Sequence, residues 1–473
     1  MSTAKPYGPL YRLVWRWHFY AGLAVAPLLL ILAITGAIYL FNDEINDLAY
    51  PGLRFVTQGT EPVALGRMVA AAEASRPGAV ATRVDTPSAP DRSVQVFLAL
   101  PDGAARQAFV DPYTSAVLGD LDYRRTVVGF ADKMHGSLLL GDMGNAVLEL
   151  AASWAVVLVV TGLYLWWPSG RWRVRGVLWP RFSAGGRAVL RDLHGVVGLW
   201  TSLLILFLVL TGLPWANLWG GRLVSLMDAV GIGYPASYRG VNPPASQTVK
   251  QAVGDAPWTV APTAMPVSTI LTPALAAGAT DPHAHHHGRG AMMAAPAAGA
   301  IGIDRAAAVL AGEGMISPYR LFMPRGPQGV YFAFTYPDQP QGQRTLYIDQ
   351  YSGQILRDVR FADYGWGAQA VEMGVQLHLG NYFGRLNQIV MLLPCLGVIV
   401  LCVTGPWMWW KRRPAGKLAA PSAPHPARLR TLALLTIGLS ALFPLAGGSL
   451  LAILLGDAAV TRLRGRSPRP TSL

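Results

Sequence analysis

The chain has 473 residues, of which 52% are hydrophobic and 14% charged, and its formal net charge is +13. That balance is too apolar for an ordinary soluble enzyme and points to a polytopic membrane protein. The positive charge is concentrated in short segments beside apolar runs, so it reads as a topology signal and not as a nucleic-acid interface.

Residues 1–17 carry Lys5, Arg12 and Arg16 and read as a cytoplasmic N-terminus. The first span is 18–41. It is too long for a signal-peptide core and runs into Asn42-Asp43-Glu44 without a small-residue cleavage site, so it is expected to be retained. Segment 42–134 has nine Lys/Arg against twelve Asp/Glu and is expected on the outward side. Within it, 61–76 has helical character and strand-like runs follow at Ala81–Thr86, Ser93–Leu100 and Arg106–Asp111. Asp111-Pro112-Tyr113-Thr114-Ser115 then gives hairpin chemistry between β-formers. Segment 135–167 combines an amphipathic stretch with the second span. Segment 168–191 holds six Arg and no acid, and is expected to be a cytoplasmic loop.

The third span is 192–216, and 217–377 is a second outward segment. Its run 300–314 is helical, with strand-like runs at Tyr319–Met323, Gly329–Tyr336 and Arg344–Asp349 before Asp349-Gln350-Tyr351-Ser352-Gly353. Residues 240–300 are rich in Pro and Ala and read as a flexible insertion. They include His283, His285, His286 and His287, with Met292 and Met293 close by. Clustered His and Met can bind Cu, Zn or Ni, although a low-complexity tract imposes little geometry. Segment 378–410 is an amphipathic stretch plus the fourth span, and 411–430 carries six Lys/Arg and no acid. Segment 431–455 is apolar enough for a fifth span, with Pro444 and Gly447-Gly448 as places for a break. A full crossing there would put the tail 456–473, with its four Arg, outside and against the charge rule.

The expected fold is therefore a membrane all-α bundle of four core transmembrane helices plus a fifth. It carries two small α+β extracytoplasmic domains, and the whole is internally duplicated. Cys395 and Cys402 lie roughly 10 Å apart on one helix, too far for a disulfide, and read as packing residues.

Four histidines occupy two matched pairs. His18 and His194 each lie 17 residues before a Thr-Gly step, at Thr35-Gly36 and Thr211-Gly212. His135 and His378 each lie 26 residues before Thr161-Gly162 and Thr404-Gly405. Repetition at fixed spacing inside a membrane bundle suggests a device that holds a planar metal cofactor between helices. Depth and repeat symmetry pair His18 with His194 toward the inner face and His135 with His378 toward the outer. Gly22 and Gly198 follow their histidines by four residues, on the same helix face. Gly36 and Gly212 return to that face about 27 Å beyond their histidines. All four are candidates to border a cofactor, with helix packing as the plain alternative. The threonines are expected to bond back to their own helix carbonyls.

The run Val110-Asp111-Pro112-Tyr113-Thr114-Ser115-Ala116-Val117-Leu118 resembles the strand-turn-strand signature of PepSY domains. The pattern Arg16-Trp17-His18, Gly22, Thr35-Gly36 and its copies resemble the PepSY-associated transmembrane family, over roughly residues 10–411. Members of that family include inner-membrane ferric-siderophore reductases that carry b-type haem. The resemblance implies two haems b with His18, His194, His135 and His378 as axial ligands, in a bacterial inner membrane with the N-terminus cytoplasmic. The expected route has electrons entering at the His18/His194 haem, crossing to the His135/His378 haem, and leaving to a ferric chelate held by the outward modules. No nicotinamide or phosphate-binding loop is evident, so the donor is expected to be external, a cytoplasmic reductase or quinol. Tyr331, Phe332, Phe334, Tyr336, Tyr347 and Tyr351 are candidates to line a chelate site, half or more of them expected in the core. The rival readings are a non-enzymatic PepSY scaffold or regulator, and a copper-handling membrane protein.

Overall fold

A computed structural model describes residues 8–168, 174–235, 247–254, 256–268, 297–413 and 437–465. In chain order its main helices are α1 (Pro9–Leu40), α2 (Asn42–Ala49), α3 (Leu65–Ala74), α4 (Val127–Ser137), α5 (Gly141–Trp166), α6 (Gly186–Gly212), α7 (Asn217–Ala229), α8 (Ile303–Gly312), α9 (Trp366–His378), α10 (Arg385–Arg412) and α11 (Pro444–Gly465). The strands are β1 (Val80–Asp85), β2 (Val94–Ala99), β3 (Ala105–Val110), β4 (Val117–Leu121), β5 (Arg320–Phe322), β6 (Val330–Thr335), β7 (Arg344–Asp349) and β8 (Ile355–Arg360). The chain divides into two compact units. One comprises Met1–Leu40, Asp132–Leu223 and Gln388–Leu473, the other Phe41–Ala131 and Val224–Asn387.

The first unit is helical. Among the described residues four helices are long and apolar enough to cross a membrane, Leu10–Leu40, Gly141–Trp166, Gly186–Trp215 and Arg385–Arg412. The shortest has 26 residues, about 39 Å of helix at 1.5 Å per residue against about 30 Å of hydrocarbon. Both α1 and α6 begin well before their histidines, so His18 and His194 sit more than two turns inside and not at the helix starts.

The fifth apolar segment is interrupted at Pro444, one of the places for a break that the sequence offered. Residues 437–442 are helical, Phe443 is not, and α11 starts at Pro444. The apolar part of α11 is Pro444–Gly456, about 20 Å of helix and short of a full crossing. Pro444 removes a backbone donor and its ring cannot continue the preceding helix. A Cβ at Gly447 would fall 2.1 Å from Oγ of Ser440, so the break tolerates no side chain there. The segment still packs on the bundle. Phe443, Ala446 and Leu450 join Val25, Ala151, Trp154 and Leu213 in one buried cluster, and the Trp154 indole donates to Ser449 Oγ at 3.0 Å.

The second unit corrects the expectation of two separate outward modules. All eight strands form one antiparallel sheet in the order β4-β3-β2-β1-β5-β6-β7-β8. The seam is β1 against β5, with Arg83 opposite Phe322, Val84 opposite Leu321 and Asp85 opposite Arg320. Two separate four-stranded sheets would each leave these strands as open edges, and pairing them removes the exposed backbone groups. One face is a single core cluster. Val96, Leu98, Leu321, Ala333, Leu346 and Ile348 pack against Met68 and Ala72 of α3 and Ala306 and Leu310 of α8. The alternate residues Phe332, Phe334 and Tyr347 enter a second cluster on the other face.

The two hairpin motifs have the same turn. Asp111 Oδ1 accepts from the backbone N–H of Tyr113 and Thr114, and Asp349 Oδ1 accepts from Tyr351 and Ser352. Ser115 and Gly353 follow in the left-handed region, with φ of 62° and 73°, where the side-chain hydrogen bonds of the Asx turn help hold a non-glycine residue. The phenols of Tyr113 and Tyr351 donate to Pro90 and Pro327 carbonyls, both at 2.8 Å.

Candidate functional site

In the helical unit, His18 of α1 and His194 of α6 stand face to edge. Their ring centroids are 6.4 Å apart and their planes lie at 88°. Two imidazoles bound through nitrogen at about 2.0–2.1 Å on opposite sides of one metal would place their centres roughly 6.3 Å apart. The centroid spacing is compatible with two imidazoles holding one metal between them.

Neither histidine is held by the Thr-Gly step of its own helix. The Nδ1 of His18 lies 2.9 Å from Oγ1 of Thr161 on α5, and the Nδ1 of His194 lies 2.9 Å from Oγ1 of Thr404 on α10. Each hydroxyl is also 2.6–2.7 Å from a carbonyl four residues back in its own helix, Val157 for Thr161 and Val400 for Thr404. A hydroxyl has one proton. At that distance two oxygens without a proton between them would repel, so the proton goes to the carbonyl. The threonine oxygen is then left to accept, and Nδ1 must be the donor. Both rings are fixed as the Nδ1–H tautomer, which leaves Nε2 with its lone pair for a metal or a proton.

The glycine after each threonine completes the cradle. A Cβ at Gly162 would lie 3.2 Å from Cε1 of His18, and one at Gly405 would lie 3.4 Å from Cε1 of His194. Both are tighter than or at the limit of ordinary contact, so these positions give the ring edge its room. His135 on α4 is treated in the same way. Its Nδ1 is 3.0 Å from Oγ1 of Thr35, whose hydroxyl also reaches the Ile31 carbonyl at 2.6 Å, and a Cβ at Gly36 would lie 3.2 Å from its Cε1. His378 is the last residue of α9, in the second unit. Thr211 bonds back to the Phe207 carbonyl at 2.7 Å.

The other candidate residues are placed as follows. A Cβ at Gly22 would meet Leu158 at 3.7 Å, and one at Gly198 would meet Leu401 at 3.5 Å, ordinary contact between helices. Gly36 borders His135 and also Cys395, whose thiol reaches the Met391 carbonyl at 3.4 Å. Gly212 ends α6. His283, His285, His286 and His287 lie outside the described residues. Of the aromatics, Tyr331, Phe332, Phe334 and Tyr347 are at most 1% exposed and belong to the sheet's two core clusters. These four are core residues and do not line a chelate site. Tyr336 and Tyr351 are half-buried.

One buried neighbour of His194 in the sequence carries no signal of its own. Asp192, two residues before His194, is 2% exposed. It takes a two-pronged contact from Arg181, at 2.6 and 2.9 Å, and a third from Arg191 at 3.1 Å. The indoles of Trp166 and Trp200 donate to the Val177 and Leu178 carbonyls, both at 3.0 Å. Together these contacts tie the 174–181 loop to Trp166 at the end of α5 and to Asp192 and Trp200 of α6.

Among the described residues, no group of three or more His, Cys, Asp or Glu is placed to hold a metal ion. Two imidazoles alone suit a group that brings its own in-plane ligands, as a macrocycle does. The histidine pair, the ring spacing and the glycine clearance fit such a group.

The model of the PepSY-associated TM region matches residues 15–412. The chain belongs to the PepSY-associated TM family. The matched stretch takes in all four histidines, all four Thr-Gly steps and the whole eight-stranded sheet. No curated protein matches the chain.

Proposed function

We propose that this PepSY-associated membrane protein is a haem-dependent reductase of a bacterial inner membrane that delivers electrons to a ferric chelate of the siderophore class on the outward side. The observation that carries the reading is the His18/His194 pair at 6.4 Å, each ring fixed through Nδ1 by a threonine of another helix. Haem b, when bound, would supply one-electron transfer, which no side chain of this chain offers at neutral pH.

The chain's own part is positioning. His18 and His194 present lone-pair Nε2 atoms. Thr161 and Thr404 hold their tautomers, and Gly162 and Gly405 leave clearance for the ring edges. His135, cradled by Thr35 and Gly36, is proposed as a ligand of a second haem. His378 is carried to the same role by the repeated spacing alone. The proposal includes an internal duplication, supported by the matched hairpin turns, and an external donor on the basic, inward side. Chelation of Fe(III) by hard oxygen ligands weakens on reduction to Fe(II), which would release the iron.

The test is the reduced-minus-oxidised spectrum of protein produced with adequate haem. A reducible Soret and α-band is expected, and His18→Ala and His135→Ala should each remove about half of it under a two-haem arrangement. Absence of the bands from the wild-type protein would overturn the reading. Loss caused by only one of the two variants would reduce it to a single haem.

A further inference from the structure

The sheet unit contains a cavity of about 260 Å³ whose lining includes Met227, Asp228, Tyr234, Trp258, Thr259 and Thr263. Asp228 is the one charged side chain among the described residues that line it. The wall behind is unusually polar for a protein core. Thr259 donates its backbone N–H (3.0 Å) and hydroxyl (2.8 Å) to Oε1 of the fully buried Glu372, and Gln343 Nε2 reaches Oε2 at 3.2 Å. The phenols of Tyr347 and Tyr364 are also buried here, beside the hydroxyls of Thr263 and Thr345 respectively. Burial, and then the proximity of Glu372, Tyr347 and Tyr234, pushes the Tyr364 phenol well up, so it stays a neutral donor. The Arg357 guanidinium, on the same side, is engaged by the Ala264 carbonyl at 3.4 Å and by the Tyr347 ring at 5.6 Å.

The first half of the same sheet shows that the architecture does not need these groups. The β3–β4 pairing shifts register between Phe109 and Val110, and the β7–β8 pairing shifts between Tyr347 and Ile348. Phe109 therefore stands where Tyr347 does, without the hydroxyl. Aligning His135 with His378 brings Gly129 to the place of Glu372, and there a Cβ would lie 1.8 Å from the Tyr123 carbonyl oxygen. One half folds with Phe and Gly, while the other buries a phenol and a carboxyl at these positions. Buried polar groups cost free energy, so their presence beside a cavity calls for a reason other than folding.

We propose that this cavity is a binding site for a small organic cation, a primary ammonium compound. The carboxylate of Asp228 meets the charge, the aromatic side chains of Tyr234 and Trp258 favour a cation over an anion, and the hydroxyls of Thr259 and Thr263 accept N–H donors. The volume admits only a small molecule. This site is independent of the haem reading and stands or falls apart from it.

The test is isothermal titration of the full chain in detergent with propylammonium chloride, and with sodium propionate as the anionic counterpart. Saturable one-to-one binding of propylammonium, without binding of propionate, is expected. Asp228→Asn, whose fold is checked by thermal unfolding, should weaken propylammonium binding by about tenfold or more, through loss of a charge-assisted contact. Met227→Trp fills the cavity without removing the carboxylate and should abolish the binding. The proposal is overturned if wild-type protein takes up no propylammonium saturably, if propionate binds instead, or if both variants bind as the wild type does.

Discussion

A threonine hydroxyl has a single proton, and at Thr161 that proton goes to the Val157 carbonyl 2.6 Å away. This fixes what His18 must do, because the oxygen that remains can only accept. Thr161→Val keeps the shape and removes the acceptor. It leaves a buried Nδ1–H unsatisfied, at a cost of about 1–3 kcal/mol, and frees the ring to change tautomer. Loss of an outer-shell partner of this kind weakens metal or cofactor affinity by about 10–100-fold. Under the haem reading proposed above, titration of haem into the purified protein should show that loss for Thr161→Val and near-normal affinity for Thr161→Ser. Equal affinity for all three would show that the hydroxyl does not position the ring. At this scale the sequence was partly readable. The Thr-Gly steps stand out by their spacing, and the back-bonding of the threonines was expected from helix chemistry. What spacing could not tell is which histidine each step serves. The contact runs between helices, from His18 to Thr161 and from His135 to Thr35, and not along the helix that contains the step.

At the scale of elements, α2 shows how a short helix is tied to the sheet unit. It has no buried residue of its own. Asp47 binds Arg54 at 2.5 Å and takes two contacts from Arg92, at 2.5 and 2.9 Å. The hydrogen bond from Arg92, followed by that from Arg54, holds the Asp47 carboxyl below its ordinary value of 3.8. A carboxylate with a depressed folded pKa stabilises the fold above its unfolded pKa, and the contribution fades as pH falls through the folded value. The Asp47 contribution should therefore be complete above about pH 4 and disappear only at more acid pH. A pH series of thermal melts should show Asp47→Asn less stable than wild type at pH 6, with the gap closing as the pH falls below the ordinary carboxyl value of 3.8. Partial exposure of the cluster keeps the gap small. A gap that persists unchanged at pH 2 would contradict this account. The strands themselves were legible as short runs of β-formers between turn residues, although β6 and β7 are buried on both faces and do not alternate. The fifth apolar segment was legible as a run but not as a crossing, since its length is set by where Pro444 ends one helix and begins another.

For the sheet unit as a whole, the deciding feature is the β1–β5 seam. It merges two similar halves into one sheet with one core cluster under α3 and α8. The unit should then unfold as one cooperative body. Leu98 belongs to the first half and Leu346 to the second, and both are buried to 1% exposure or less. Leu98→Ala and Leu346→Ala should each lower the same transition, by about 2–5 kcal/mol, as read by denaturant unfolding followed through the β signal. Two separable transitions, one shifted by each variant, would show that the halves fold alone. The residues that set the apolar spans, the strands and the histidine repeats act locally or through composition, so the sequence by itself determined them. Tertiary structure alone decided that the two halves share a sheet, that four aromatic candidates are core, and that the rings of His18, His194 and His135 are each cradled by a threonine and a glycine from elsewhere in the chain. The physical reason is the same in each case. Edge pairing, burial and inter-helix hydrogen bonds join residues far apart in sequence, and no local pattern records which partner a side chain will meet.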